Sequence, residues 1–128
     1  MARLWIVLGG LNAFLAVALG AFGAHSLKER LTAEMLDVYK TGANYQILHA
    51  LGLILIGIWA ERRTNRLADG AAGLLTAGIL VFSGSLYALS LSGVRAWGAV
   101  TPLGGLCFLS GWILFVIAAA REPVKAME

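Results

Sequence analysis

The chain has 128 residues, of which 59% are hydrophobic and 13% are charged, with a formal net charge of +3 and a mean hydropathy of +0.81. A soluble domain carries about 25% charged residues and, at this size, keeps much of its surface in water, so this composition excludes one. The hydrophobicity also excludes intrinsic disorder, and a single cysteine, Cys107, excludes an intrachain disulfide and any multi-cysteine metal site.

The charged residues divide the chain into segments that can cross a membrane. All Lys, Arg, Asp and Glu residues fall in five places, and four stretches between them carry no formal charge. A helix of about 20 apolar residues crosses the hydrocarbon layer, where the backbone must satisfy its own hydrogen bonds. We therefore predict an all-α integral membrane four-helix bundle, forming one domain over residues 1–128. The predicted spans are residues 4–25, 41–60, 70–93 and 97–120.

The first span is predicted to be a retained membrane helix with a packing surface. Its apolar run is longer than the roughly 7–15 residues of a signal-peptide core, so we expect it to remain in the protein. Small or polar residues recur every four positions along it, and two adjacent glycines follow the start of the fourth span. Such residues let membrane helices approach closely, either within the bundle or between protomers. The predicted packing residues are Asn12, Ala16, Gly20, Ala24, Gly104 and Gly105.

The segment between the first two spans is the only sizeable polar piece of the chain. Ser26 with Glu29 fits a capping box, and Thr32 is a second candidate N-cap. Apolar residues then recur at helical spacing up to Tyr39, with charged residues on the opposite face. We predict a short amphipathic helix at the membrane surface, either separate or running into the second span, that acts as a lipid-surface anchor or as a lid.

Polar side chains are concentrated at a few positions of the spans. On the second span Tyr45, Gln46 and His49 can share one helix face, and Ser83 and Tyr87 lie on one stripe of the third. Polar groups that face lipid are costly, so we expect a buried polar seam that links the helices by hydrogen bonds. The residues of this seam, as structural or ligand contacts, are His25, Tyr45, Gln46, His49, Ser83, Ser85, Tyr87 and Thr101.

The two histidines lie on consecutive helices and leave more than one interpretation open. His25 and His49 could hold a haem or a transition metal, as facing histidines do in helix bundles. Their expected depths in the membrane differ, however, and no carboxylate lies within the spans to complete a metal shell. We favour structural hydrogen bonding over a metal site, proton handling or ligand contact. The lack of an acidic residue within the spans also argues against a proton-coupled transporter.

The loop charges predict an orientation. With four spans, both termini and the second loop share one side, which holds six Lys and Arg residues against four on the other side. Cytoplasmic loops carry the excess of Lys and Arg, so both termini are predicted to be cytoplasmic. These cations can meet anionic lipid headgroups. No basic stripe with interleaved aromatic residues indicates binding to nucleic acid.

Five short motifs occur in an order that matches a known family. They are Gly20–His25, Tyr45–Ala50, Phe82–Tyr87, Thr101–Gly105 and Gly111-Trp112. On these motifs the chain resembles the YgdD/YwdK-like family of small membrane proteins, a domain of unknown function numbered four-two-three. The resemblance covers nearly the whole chain. It implies a bacterial inner-membrane location and a four-helix bundle, and it implies no activity.

The leading interpretation is a non-enzymatic inner-membrane protein without a cofactor, either a homo-oligomer or a subunit of a larger membrane complex. Its polar seam would stabilise the bundle and bind a membrane lipid, a quinone or a partner helix. One alternative is a minimal transporter or channel for small solutes, which requires a water-accessible cavity around the seam. The other is the haem or metal site on His25 and His49.

Overall fold

The computed structural model describes residues 1–123, and the regular structure within that range is entirely helical. The third long helix is built of three parts, because a π-helical segment separates two α-helices. A short 3₁₀ turn precedes the last helix. The elements are α1 (Ala2–Ser26), α2 (Ala33–Ala60), α3 (Arg66–Gly78), the π segment (Ile79–Ser83), α4 (Gly84–Ser92), the 3₁₀ turn (Arg95–Ala99) and α5 (Thr101–Arg121).

Four continuous helical runs are long and apolar enough to cross a membrane. They are Ala2–Ser26, Ala33–Ala60, Arg66–Ser92 and Arg95–Arg121. The predicted all-α architecture is therefore confirmed, with four helices that have the length and composition of membrane spans. The predicted single domain also includes residues 124–128, which lie outside the described residues.

Side-chain caps explain where two of the long helices begin. The Oγ1 of Thr32, one of the predicted N-caps, accepts a hydrogen bond at 3.2 Å from the backbone N–H three residues later. Asn65 Oδ1 accepts from the N–H groups of Leu67 and Ala68 at 3.0 and 3.1 Å, at the start of α3. Gly93 ends α4 with a φ of +71°, a left-handed conformation that glycine adopts without a Cβ penalty.

The separate amphipathic helix predicted between the first two spans does not form. Ser26 is the last residue of α1 rather than the start of a capping box, and residues 27–31 form a turn. Residues 33–40 are the first two turns of α2. The reason is that Tyr39 is buried against Gly23 of α1, so the apolar face of this segment continues into the buried face of the second span. No glycine or proline interrupts these two turns.

Helix α2 lies at the centre of the bundle. It packs along α1 on one side and along the third long helix on the other, while α5 packs on α3 and the π segment. Half of the most apolar 18-residue stretch of α2 is buried, whereas 17% of the corresponding stretch is buried in α1 and 22% in the helical run that contains α5. The outer faces of α1 and α5 are therefore the largest exposed apolar surfaces of the bundle.

Helix α1 contacts α2 through small residues spaced by seven. Gly9, Ala16 and Gly23 are buried on this face. A Cβ on Gly9 would lie 2.7 Å from the carbonyl oxygen of Ala50, so the two backbones touch there. A seven-residue step drifts by only about 20° around a helix, which keeps all three residues on the same side.

The predicted four-residue stripe of α1 follows this contact for only part of its length. Asn12 and Ala16 lie at the contact with α2, as the Asn12–Gln46 hydrogen bond and the burial of Ala16 show. Ala24 is exposed, and a Cβ on Gly20 would meet nothing within 4 Å. A four-residue step overshoots a full turn by about 40°, so three steps rotate the stripe about 120° away from α2.

Candidate functional site

Three polar side chains form a hydrogen-bonded chain across α1, α2 and α4. Gln46 is 5% exposed and uses both ends of its amide. Its Nε2 donates to Asn12 Oδ1 at 3.1 Å, and its Oε1 accepts from the Tyr87 hydroxyl at 2.7 Å. Asn12 donates in turn to the Leu8 carbonyl oxygen at 2.9 Å. The structure thus brings together Gln46 and Tyr87 of the predicted seam, and their third partner is Asn12, which the sequence placed among the packing residues.

Tyr39 extends this contact towards the N-terminal end of α2. Its hydroxyl donates to the carbonyl oxygen of Leu19 on α1 at 2.6 Å. Its ring lies 5.2 Å from the ring of Tyr87, centroid to centroid. Tyr39 therefore joins the same three helices, although the sequence assigned it to the amphipathic segment.

His49 links α2 to α5, and its two partners define its protonation. Trp112 Nε1 lies 3.0 Å from His49 Nε2, and His49 Nδ1 lies 2.8 Å from the Tyr45 carbonyl oxygen. An indole N–H can only donate, so Nε2 must accept, and a carbonyl oxygen can only accept, so Nδ1 must carry the proton. The contacts therefore require a neutral imidazole with its proton on Nδ1. The ring also stacks on Phe108, with 3.6 Å between centroids.

Ser85 and Thr101 form the third polar contact, between α4 and the start of α5. Their hydroxyl oxygens are 2.6 Å apart. Either hydroxyl can be the donor, because Ser85 also lies 2.9 Å from the Phe82 carbonyl oxygen and Thr101 lies 3.4 Å from that of Trp97. Because Thr101 is the first residue of α5, this bond fixes the start of that helix against α4.

His25 lies apart from the other predicted seam residues. It is exposed in the last turn of α1. Gly23 lies beside Tyr39 in the antiparallel pair of α1 and α2, so the rise of 1.5 Å per residue puts His25 about 18 Å along the axis from His49. Two histidines that bind one metal ion each come within about 2.1 Å of it, so this pair cannot share a metal or a haem iron. Among residues 1–123 no group of three or more His, Cys, Asp or Glu side chains is placed to hold a metal ion.

The π segment sets the positions of Phe82 and Ser83. Ser83 is 1% exposed, and its hydroxyl has no hydrogen-bond partner within residues 1–123. Phe82 packs closely on α5, where a Cβ on Gly104 would lie 2.7 Å from the Phe82 Cα. A Cβ on Gly105 would lie 4.0 Å from the Phe82 ring, which is ordinary contact. Gly104 is thus a point of backbone approach, whereas Gly105 leaves space beside Phe82.

That space is part of a groove between α2 and α5, which we call the lateral groove. Its volume is about 390 Å³, and no charged side chain lines it. The rings of Tyr45 and Phe82 are 4.6 Å apart at one wall, and the bonded pair of His49 and Trp112 forms another part of the lining. The groove is lined by Tyr45, Leu48, His49, Phe82, Gly105, Phe108, Leu109 and Trp112.

Comparison with known proteins identifies the family. The family model described as "Protein of unknown function (DUF423)" matches residues 19–105. The chain is 45% identical to the UPF0382 membrane protein YwdK of Bacillus subtilis, over 93% of this chain and 98% of that protein. It is 38% identical to the UPF0382 inner membrane protein YgdD of Escherichia coli K12, over 99% of this chain and 97% of that protein. The chain belongs to the DUF423 family. No solved structure matches it.

Membership of the DUF423 family confirms the resemblance found from the five sequence motifs. The names of these relatives describe membrane and inner membrane proteins, in agreement with the four apolar helices. This DUF423 protein is therefore an integral membrane protein. The family model carries no activity.

Two tryptophan contacts of this DUF423 chain were not predicted from its sequence. Trp112 is the partner of His49, and Trp5 Nε1 donates to Asp69 Oδ1 at 2.8 Å. Tryptophan in membrane proteins is typical of the interface, yet Trp112 lies in the middle of an uncharged stretch. A buried indole N–H needs an acceptor, and this requirement is the signal that could have linked Trp112 to His49.

Proposed function

We propose that this DUF423 protein is a non-enzymatic membrane protein that binds a lipid in the lateral groove. The observation that carries the proposal is the groove itself, about 390 Å³ in volume and lined by aromatic and aliphatic side chains without a charge. Binding pockets for small molecules have volumes of roughly 300–1,000 Å³ and mostly apolar linings. Because the surrounding medium of these helices is hydrocarbon, a lipid is the ligand that matches this surface.

The hydrogen bonds behind the groove support a binding role over a catalytic one. A general base needs a free lone pair within reach of the substrate proton. The Nε2 lone pair of His49 is occupied by the Trp112 N–H, and its Nδ1 proton by the Tyr45 carbonyl. These bonds instead hold the two rings in place, which gives the groove a preformed wall.

The polar seam supports a structural role over a transport path. A transporter for small solutes needs polar groups that water can reach. Gln46 and Ser83 are 5% and 1% exposed, and both ends of the Gln46 amide are engaged, one by Asn12 and the other by Tyr87. A lipid-binding or assembly role needs no such path.

The proposal includes an orientation and an assembly role. Five of the six Lys and Arg residues on the side of the termini lie in described residues, and the sixth, Lys125, lies outside them. Their excess over the opposite side supports cytoplasmic termini. The large exposed faces of α1 and α5 are the surfaces for a second copy or a partner subunit in the membrane.

Filling the lateral groove tests the proposed function. In Gly105→Leu the new side chain occupies the groove, and a Cβ at this position meets only the Phe82 ring, at 4.0 Å. Gly10→Leu is the matched control, since a Cβ on Gly10 meets nothing within 4 Å. We expect native mass spectrometry of protein extracted in mild detergent to show bound lipid on the wild type and on Gly10→Leu, and several-fold less on Gly105→Leu. Equal lipid on all three folded proteins would contradict the proposal.

A further inference from the structure

The exposed side of α2 next to the lateral groove is polar near the start of the helix and becomes apolar further along it. Lys40, Thr41, Asn44, Tyr45 and Leu48 are all exposed. Lys40 and Asn44 are four residues apart and so lie on the same face of the helix, as do Asn44 and Leu48. A positive charge, a hydroxyl group and an amide therefore precede the apolar side chain of Leu48 along one side of α2.

Lys40 has no ion-pair partner within residues 1–123. The ion pairs there are Arg63 with Glu122 at 3.4 Å and Arg95 with Glu34 at 3.3 Å. The Glu34 carboxylate, on the same end of α2, is thus paired with Arg95. Asp37, one turn before Lys40, forms no ion pair within 4.0 Å with any described residue. The ammonium group of Lys40 is available to an anion at the membrane surface.

The spacing of these residues along α2 matches the spacing of the phosphate, ester and hydrocarbon regions of a phospholipid. The helical rise puts Asn44 about 6 Å and Leu48 about 12 Å beyond Lys40 along α2. The headgroup layer on each side of a bilayer is about 5–8 Å thick, which is half the difference between the whole bilayer and its hydrocarbon core. With Lys40 at the level of the phosphate, Asn44 lies at the level of the ester groups and Leu48 in the hydrocarbon.

Two hollows lie on either side of a ridge formed by Tyr45 and Leu48. One is the lateral groove, and the other has a volume of about 250 Å³ and is lined by Asn44, Tyr45 and Leu48. Tyr45 and Leu48 line both, so the ridge is their common wall. A ligand with two hydrocarbon chains can place one chain on each side of this ridge, whereas a ligand with one chain fills only one hollow.

We propose that the lipid bound in the lateral groove is a two-chain glycerophospholipid whose phosphate is held by Lys40. The inference rests on the proposed function, and it adds the class of lipid and the residues that select it. Asn44 donates its amide N–H to an ester carbonyl, and one acyl chain lies in the lateral groove against Phe82 and Phe108. The lipid belongs to the leaflet on the side opposite the termini, because Lys40 lies at that end of α2.

The test compares lipids that differ only in the phosphoglycerol headgroup. The purified protein is reconstituted in vesicles that contain equal amounts of phosphatidylglycerol and of diacylglycerol with the same acyl chains, and the bound lipids are identified by native mass spectrometry after extraction. We expect the wild type to retain phosphatidylglycerol in preference to diacylglycerol. Lys40→Gln should reduce this preference about fivefold, the effect of one Lys near an anionic surface. Lys28→Gln, an exposed lysine in the turn at the same end, is the matched control and should leave it unchanged.

The outcomes separate the two proposals. If Gly105→Leu removes bound lipid but Lys40→Gln leaves the preference intact, the phosphate site is wrong and lipid binding in the groove stands. Retention of diacylglycerol, or of a neutral quinone from native membranes, in place of phospholipid would also overturn the phosphate site. If Gly105→Leu leaves bound lipid unchanged, the proposed function itself fails, whatever Lys40→Gln does.

Discussion

Gln46 joins three helices through the hydrogen bonds of its side-chain amide. Single substitutions of Gln46 and of its partners can test how much these bonds stabilise the bundle. Both ends of the amide are engaged, with Asn12 at 3.1 Å and with Tyr87 at 2.7 Å. A neighbouring hydroxyl, that of Tyr45, forms no hydrogen bond within residues 1–123. Tyr87 is hydrogen-bonded to this glutamine and Tyr45 is not, so Tyr45 provides the control for the effect of the bond.

We predict an energetic coupling between Gln46 and Tyr87. Hydrogen bonds between membrane helices contribute about 0.6 kcal/mol on average and at most about 2 kcal/mol. Gln46→Leu and Tyr87→Phe, made singly and together, should therefore show a coupling in that range when the free energy of unfolding is measured by titration from mild detergent into sodium dodecyl sulfate. The control cycle pairs Gln46→Leu with Tyr45→Phe and should show a coupling near zero. Equal couplings in the two cycles would argue against the bond.

His49 illustrates how much of a site can be inferred from residue types alone. The sequence indicates a buried histidine that makes structural hydrogen bonds, since hydrocarbon penalises an unpaired polar group. Its partner lies 63 positions away on another helix, at Trp112, and no spacing rule connects the two. The sequence therefore predicts the need for a partner, whereas the identity of the partner depends on how α2 and α5 face each other.

At the scale of the helix, the spans were predictable because a charged residue cannot lie in hydrocarbon at low cost. The uncharged stretches located all four long helices, and Thr32 marked the start of α2. The π segment at Ile79–Ser83 gave no signal in the sequence, because its side chains also suit an ordinary helix. The lateral groove depends on this segment and on two helices distant in sequence, so it could not be predicted.

Two adjacent glycines of α1 test the packing of that helix. A Cβ on Gly9 would lie 2.7 Å from the Ala50 carbonyl oxygen, whereas a Cβ on Gly10 meets nothing within 4 Å. Gly9→Ala should lower the free energy of unfolding by about 1–3 kcal/mol, the usual cost of overpacking. Gly10→Ala should leave it unchanged or raise it by up to about 1 kcal/mol, because alanine favours the helix. The same unfolding titration measures both, and a loss of stability in Gly10→Ala alone would refute the assigned contact face.

At the scale of the whole molecule, the orientation in the membrane decides which leaflet supplies the lipid. The bundle places Lys40 at the end opposite the N-terminus, since α1 and α2 are antiparallel and Lys40 lies near the start of α2. If the termini are cytoplasmic, the phosphate site faces the outer leaflet. The charge difference that sets this orientation is only six Lys and Arg residues against four, so a small change in the loops should alter it.

We therefore predict that the orientation depends on the second loop. With a green fluorescent protein fused to the C-terminus, which fluoresces in the cytoplasm, the wild type should be fluorescent, and an alkaline phosphatase fused at the same place should be inactive. Replacing Arg62 and Arg66 by Ala equalises the two sides at four cations each, and should give a mixed population with both reporters partly active. Replacing Lys28 and Arg30 by Ala widens the difference to six against two and should leave the wild-type pattern unchanged. Active phosphatase and dark fluorescent protein on the wild type would reverse the orientation, and the phospholipid would then come from the cytoplasmic leaflet.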